Sequence, residues 1–512
     1  MLWNLLSDTL IFCLGFVFVS FTRSAVHIIR ERVALRNIPG PAPSSFLWGE
    51  EWVLYHGTPG LPYATWHKKF GKVVRFTGAF GHQILSITDP RAISFIISEK
   101  IYSFPKPRGV RAWFKALLGE GILWVEGKDA HEKQRRALAP ALSQQSVRNL
   151  IPIFYENSAK LASQWMKLLD ARHDAVEIEI TNWAARFALD TIGRAAFSYD
   201  FDSLSGTSHP LAETLDGLTN NENKRSSFYM RALFWIFPSI LSIGKKGEMI
   251  KRTKQELGEI ASNMWRDAKV AGDSEGRTLM ALMLRADRAS GHRMTEDEVV
   301  AQMRTTISAG YETVSAIIAW VLYELARNPA LQAELREEVL MAQDSPLDVL
   351  NGFLLLDAVV QETLRLHPAI LENHHEAAET ISVPLSEPIS GTSDMYIVIP
   401  KGTTLAIPLN VLQTDPEVWG PDADLFRPER WIERRKMGVH RGRELLAFSE
   451  GPRSCIGKAF ALAEIKALTV TLLHQFSFSC PHEIEAFQSF VIRPRVQGQG
   501  PSSLPLLVRK QF

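Results

Sequence analysis

The stretch FSEGPRSCIGKAF, Phe448–Phe460, sets one cysteine, Cys455, between two glycines and beside an arginine. No second cysteine stands at C-x-x-C spacing, and no histidine follows at a zinc-ligand interval. A lone thiol is ordinarily inert packing, so its neighbours decide the reading. Gly451 permits the backbone angles of a tight turn. Gly457 removes a side chain where a flat group could lie close, just before a helix. Arg453 carries a fixed charge suited to a carboxylate, and Phe448 offers an aromatic face to cover sulfur. Backbone N–H groups at a turn and a helix N-terminus lower a thiol pKa and let a thiolate persist.

Together these features describe a soft anionic ligand under a large planar cofactor bearing acidic groups. Haem b (iron protoporphyrin IX) meets that description, since cysteine ligation of haem iron favours O–O cleavage. FSEGPRSCIG resembles the haem-binding signature F-x-x-G-x-R-x-C-x-G of the cytochrome P-450 family at every defined position. Three further motifs follow the family's order, so the resemblance covers nearly the whole chain from Pro39. It implies a mainly α (α+β) fold, a large helical domain with small β-sheets, and Cys455 as axial iron ligand.

AGYETVS, Ala309–Ser315, resembles the family's oxygen-activation motif. Gly310 and the small Ala309 would leave room for dioxygen. Thr313, four residues on from Ala309, shares its helix face and has a hydroxyl to donate, while Glu312 would relay protons from solvent. By itself the segment also reads as a glycine-weakened helix whose threonine bonds back to its own carbonyl. QETLRLHP holds Glu362 and Arg365 on one helix face, and FRPERW supplies Arg430; the resemblance makes these three a structural network that holds the cysteine loop. For the haem propionates it points to Arg135 in KDAHEKQRR and to Arg453. His131 stands where the family usually has tryptophan, and His375 where it commonly has arginine. Either can donate a hydrogen bond to a propionate, or be ordinary satisfied structure.

Around these motifs the chain reads as one domain. KVVRFTG and HQILSIT flank a Gly-Ala-Phe-Gly turn and predict a hairpin. Asp89-Pro90 opens a helix. From Asp129 to Met341 the pattern is mainly helical, with a long amphipathic stretch over Glu296–Arg327. MYIVIP and TTLAIPL predict strands, and helix returns after Gly457. No linker, repeat or low-complexity tract divides residues 44–512, which are taken as the catalytic domain.

The 512 residues, 46% hydrophobic and with a formal net charge of +1, give ample core and no electrostatic case for nucleic acid. Of three cysteines, Cys13 lies in an apolar N-terminal run, which argues against a disulfide framework. Residues 1–22 are expected to form a single transmembrane helix, interrupted by Asp8. Arg23, Arg30, Arg32 and Arg36 follow and would keep the catalytic domain in the cytosol. Residues 23–43, ending in the Pro-rich Ile38–Pro43, read as a basic flank and stiff hinge. The apolar Phe228–Pro238 is either a buried helix end or a segment dipping into the same bilayer.

The resemblance implies a haem-thiolate monooxygenase at the endoplasmic reticulum membrane, inserting one oxygen atom of dioxygen into a lipophilic small molecule. No flavin or nicotinamide fingerprint is apparent. Electrons would therefore come from an NADPH-cytochrome P-450 reductase, with cytochrome b5 as a second donor. A relative that isomerises, dehydrates or desaturates is one alternative, and a non-catalytic haem sensor is another. The pocket would draw on Arg108–Gly121, Thr306, Ala309, Thr313, Ala369–Asn373 and Val491–Arg493. Ser382–Met395 and the PERW sequence look fungal, which suggests a terpenoid or other specialised metabolite.

Overall fold

A computed structural model describes residues 22, 26, 28–172, 175–205, 209–220, 224–271, 280–281, 294–341, 352–437 and 445–511. It is mainly helical with four small sheets among those residues, as expected. The predicted anchor lies outside the described residues except for Thr22, and among the described residues no helix is long and apolar enough to cross a membrane. Contacts sort the chain into two compact units. The first takes residues up to Gly57, Leu61–Pro105 and His374–Pro408; the second takes Thr58–Gly60, Lys106–Asn373 and Leu409–Phe512.

The first unit contains the predicted hairpin. Val73–Thr77 pairs antiparallel with Gln83–Ile87, from Val73 opposite Ile87 to Thr77 opposite Gln83, and Thr404–Pro408 adds in parallel beside Ile84–Ser86. The turn needs a left-handed residue at Phe80 (φ 55°) and a glycine at Gly81 (φ 83°). Asp89 caps the next helix by accepting from Ala92 N at 2.9 Å, with Pro90 in its first turn. The Pro-rich segment is non-helical, as its prolines require, but it is fastened down. The N–H of Arg75 donates to Pro39 O at 2.9 Å, and a Cβ on Gly40 would stand 1.7 Å from Arg75 O.

The second unit is built around buried helices. Those used below are α1 (Lys128–Leu138), α2 (Ile151–Arg172), α3 (Ile180–Phe197), α4 (Pro210–Thr219), α5 (Glu296–Arg327), α6 (Leu354–Leu366), α7 (Glu429–Lys436) and α8 (Lys458–Gln475). Helix α5 starts at a capping box, Thr295 with Glu298, that satisfies two of the orphan donors of its first turn. Its second half, Val314–Ala326, is buried on every side, which is why the sequence there is apolar without a polar stripe. Helices α3, α6 and α8 pack on it, and α2 packs on α3 and α8. The segment Phe228–Pro238 is split: Phe228 and Ala232 are buried, whereas Tyr229 and Phe237 are exposed.

Helix α6 carries Glu362 and Arg365 and helix α7 carries Arg430, and all three side chains of this network are buried. Glu362 accepts from Arg365 through both oxygens at 2.8 and 2.9 Å, and from Arg430 Nε at 2.9 Å. The indole N–H of Trp431, on α7, donates to the same carboxylate at 2.8 Å. Arg365 also donates to Gln413 O and Ala423 O. Gln413 closes the path to the cysteine loop: its amide donates to Leu364 O and Arg365 O, and its Oε1 accepts from Leu446 N at 2.9 Å. Removing one member of so buried an ion network leaves the others unpaired, at a cost of about 3–5 kcal/mol.

Candidate active site

The cysteine loop turns as its glycine predicts. Gly451 has φ 70° and Ser449 φ 54°, and the N–H of Cys455 donates to Phe448 O at 2.8 Å, which closes the loop in front of α8. Phe448 is half-buried, with Lys458 Nζ 5.4 Å from its ring centre. The thiol itself is exposed, yet burial pushes its pKa up. Both hold if Cys455 looks from deep inside the protein into a void. The Gly457 N–H, Arg135 and Lys458 act in the opposite direction and are outweighed. The Gly457 N–H thus lowers the thiol pKa as expected, while desolvation is the larger effect in the metal-free chain. A bound metal would reverse the balance, since it deprotonates a coordinating thiol outright. A Cβ built on Gly457 would meet only the Cys455 sulfur, at 4.0 Å, so the space above the sulfur is open.

Helix α5 has one face that is not fully buried. In a segment otherwise buried, Ala309 is exposed and Thr306, Gly310 and Thr313 are half-buried, a face spaced three and four residues apart. The Thr313 hydroxyl donates back to Ala309 O at 2.7 Å. Gly310 does a different job from the one expected. Its missing Cβ is opposite Ile192 of α3, at 3.1 Å, so the glycine lets two helices approach, and Ala309 presents the open face. Glu312 is also not open to solvent: it is 1% exposed, and its Oε2 accepts from Arg493 Nη2 at 2.6 Å. Arg493, expected to line the pocket, is itself buried.

Of the segments predicted to line the pocket, Val491–Arg493 meets Ala369–Asn373, and residues in or beside the others make contacts within this unit. Trp113 stacks on Phe490 with ring centres 6.0 Å apart, Ile492 N donates to Ala369 O at 2.9 Å, and Ile122 N donates to Gln302 Oε1 at 3.0 Å.

A cluster of cations borders the cysteine loop. Arg135 on α1 donates to Ser454 O at 2.7 Å, next to the thiol. Arg453 donates to Val125 O at 3.1 Å and pairs with Glu126 at 2.5 Å; Lys106 holds the other oxygen of Glu126 at 2.9 Å. Burial, then the Arg453 charge, lowers Lys106 to a pKa of about 8 against the pull of Glu126. His131 is buried in the same cluster. Burial, then Arg453, Lys106 and Arg135, lower its pKa to about 4, so the ring is neutral near pH 7. Nothing in the sequence marks Lys106 or Glu126, which stand 20 residues apart outside any motif and meet only through the fold. His375 belongs to the first unit, where its Nδ1 lies 2.9 Å from Phe104 O.

The cytochrome P-450 family model matches residues 38–495. This chain belongs to the cytochrome P-450 family. It is 34% identical to cytochrome P-450 monooxygenase claQ of Ampulloclitocybe clavipes, over 96% of this chain and 97% of that one. Monooxygenase claO of the same species is also 34% identical, over 96% and 97%. Monooxygenase 205 of Postia placenta is 32% identical, over 93% of each. The protein is thus a haem-dependent monooxygenase, an oxidoreductase with fungal relatives. Its residues fit haem b. A soft sulfur faces open space over Gly457, and Lys106 and Arg453 bring two cations to the single carboxylate of Glu126 while Arg135 adds a third at Ser454, an excess that suits two propionates.

Proposed function

We propose that this cytochrome P-450 hydroxylates a lipophilic small molecule, a terpenoid or another specialised metabolite, with electrons passed from NADPH by a cytochrome P-450 reductase and cytochrome b5 as a second donor. The observation that carries this reading is the exposed Cys455, with open space where a Gly457 side chain would stand; the exposed Ala309 and half-buried Thr306, Gly310 and Thr313 of α5 support it. Cys455 would hold the iron, and Arg135, Arg453 and the neutral His131 would hold the propionates. Haem with a thiolate ligand supplies the activation of dioxygen. The chain would supply everything else: Thr313, whose hydroxyl donates to Ala309 O here, would turn it outward to donate, Glu312 would provide the proton, and Trp113 stacked on Phe490 would add apolar surface.

The same reading places the protein in the endoplasmic reticulum membrane by residues 1–22, with residues 44–512 as catalytic domain on the cytosolic side. The basic flank after the apolar run supports it. So do exposed apolar residues on each unit: Ile29, Val33, Phe46 and Trp52 on the first, Tyr229 and Phe237 on the second. The test is expression with a reductase in a host fed lipophilic scaffolds. Mass gains of one oxygen that need NADPH are expected. Isomerised or dehydrated products formed without NADPH would replace the reading by a rearranging enzyme, and no turnover of any scaffold despite a normal haem spectrum would point to a sensor.

A further inference from the structure

Glu312 is the one member of the proposed proton pair that the fold keeps from both water and Thr313. It is adjacent to Thr313 in sequence, and neighbouring residues on a helix point to different faces. Its carboxylate lies inside the protein on Arg493, a buried residue of the strand Ile492–Val496. Arg493 has a second anion: its Nη1 lies 3.2 Å from Asp216 Oδ1, on α4. Asp216 is about a third exposed, whereas Arg493 and Glu312 are almost fully enclosed (side chains 5% and 2% exposed). The fully buried Tyr311, next to Glu312, completes the group; burial first, then Asp216 and Glu312, pushes its phenol pKa up, so it stays neutral. Burial would lower the Arg493 pKa, but the Glu312 and Asp216 charges overcome it, and the guanidinium stays charged throughout.

One cation thus serves two carboxylates, one closed in and one open to water. If Glu312 had no such neighbour, turning toward Thr313 would strand a bare guanidinium in the core, and breaking a buried pair that way is strongly unfavourable. Asp216 removes that obstacle, because Arg493 can leave Glu312 and keep an ion pair. We propose that Arg493 is a positioning residue that parks Glu312 away from Thr313, and that Asp216, by taking over Arg493, frees Glu312 to deliver protons, so that delivery depends on helix α4. No bond other than the hydrogen bonds changes: the guanidinium exchanges one carboxylate for another, and Glu312 exchanges protons with water only after it has left Arg493. This rests on the reading of Glu312 and Thr313 as the proton pair, and the experiment separates the two.

The full chain, haem-loaded and reconstituted with reductase, is assayed without added substrate, with dioxygen as the probe. The readouts are the rate of NADPH consumption, its ratio in H2O and D2O, and the share of electrons recovered as hydrogen peroxide. Asp216→Asn should slow consumption about tenfold, a fraction of what a positioned acid contributes, and enlarge the solvent isotope effect as Glu312→Gln does. Arg493→Lys, which grips one carboxylate at a time, should shrink the isotope effect. On the haem-free chain, thermal midpoints of Asp216→Asn, Glu312→Gln and the double variant should be non-additive with Arg493 present and additive in Arg493→Met. If Asp216→Asn matches wild type while Glu312→Gln is slow, the shared-cation idea is overturned and the proton pair stands. If Glu312→Gln also matches wild type, the proton pair itself falls, and this inference with it.

Discussion

The cysteine loop and the middle of helix α5 face the same chemistry, but they are built from different kinds of information. In the loop, the decisive features are local. Gly451 takes a left-handed turn, Cys455 N bonds to Phe448 O seven residues back, and Gly457 clears space beside the sulfur. In the helix, every decisive partner is remote: Ile192 fills the notch of Gly310, and Arg493 holds Glu312 across 181 residues of sequence. A site made of backbone turns advertises itself as a motif. A site made of charges brought together by packing does not, and its residues act through neighbours the motif cannot name.

The sharpest way to break the comparison is at the sulfur. Cys455→Ser keeps the turn but replaces the soft ligand, and the red-shifted Soret band of the reduced, carbon monoxide-bound protein should vanish with all turnover. A retained band would refute the loop as the iron site. Next in size is the network behind the loop. Glu362→Gln leaves Arg365 buried without its anion and Arg430 with Asp422 alone, so the chain should lose about 3–5 kcal/mol and recover little haem. Gln413→Leu, which cuts the link to Leu446 but spares the ions, should cost less stability and still loosen haem; urea unfolding and haem retention read the two separately.

These contrasts explain what could be read in the sequence. The helical class, the hairpin, the Asp89 cap and the long α5 followed from periodicity and capping, which are local. The Glu362–Arg365 pair was visible from its spacing, but Trp431 and Gln413 were not, since neither their order nor their spacing says that they close on Glu362 and Leu446. Thr313 was placed on the right helix face, while Gly310 was given the wrong neighbour, because a missing Cβ shows that something comes close without showing what. The electrostatics of Cys455 were legible only in part for a related reason: N–H donors can be read from a turn, whereas desolvation depends on the whole surrounding. Lys106 and Glu126 had no local signature at all.

The cation cluster makes a smaller prediction through pH. His131 has a folded pKa of about 4, below its unfolded value near 6.5, so the unfolded chain binds more protons between those two values. Stability should therefore rise with pH across that window and be lost on acidification, by at most about 3 kcal/mol for this residue. His67, also held near 4 by its burial, contributes a slope of the same sign in the first unit. The His131 share is isolated by comparing urea midpoints of wild type and His131→Gln from pH 4 to 7. A variant with the same slope as wild type would remove His131 from the buried cation cluster.

The least disruptive pair of substitutions tests the loop glycine by glycine. Gly451 sits at φ 70°, where any side chain is strained, so Gly451→Ala should cost about 1 kcal/mol in unfolding free energy. Gly457 has an ordinary φ of −88° and only the sulfur within 4.0 Å of its would-be Cβ, so Gly457→Ala should leave the haem-free chain as stable as wild type. What it should change is haem affinity, because the added methyl group occupies the space in front of Cys455. Thermal unfolding of the haem-free chain separates the two variants, and titration with haem reverses their order. If Gly457→Ala binds haem as tightly as wild type, the opening over the sulfur is not where the cofactor lies. The loop would then owe its glycine to the start of helix α8 alone.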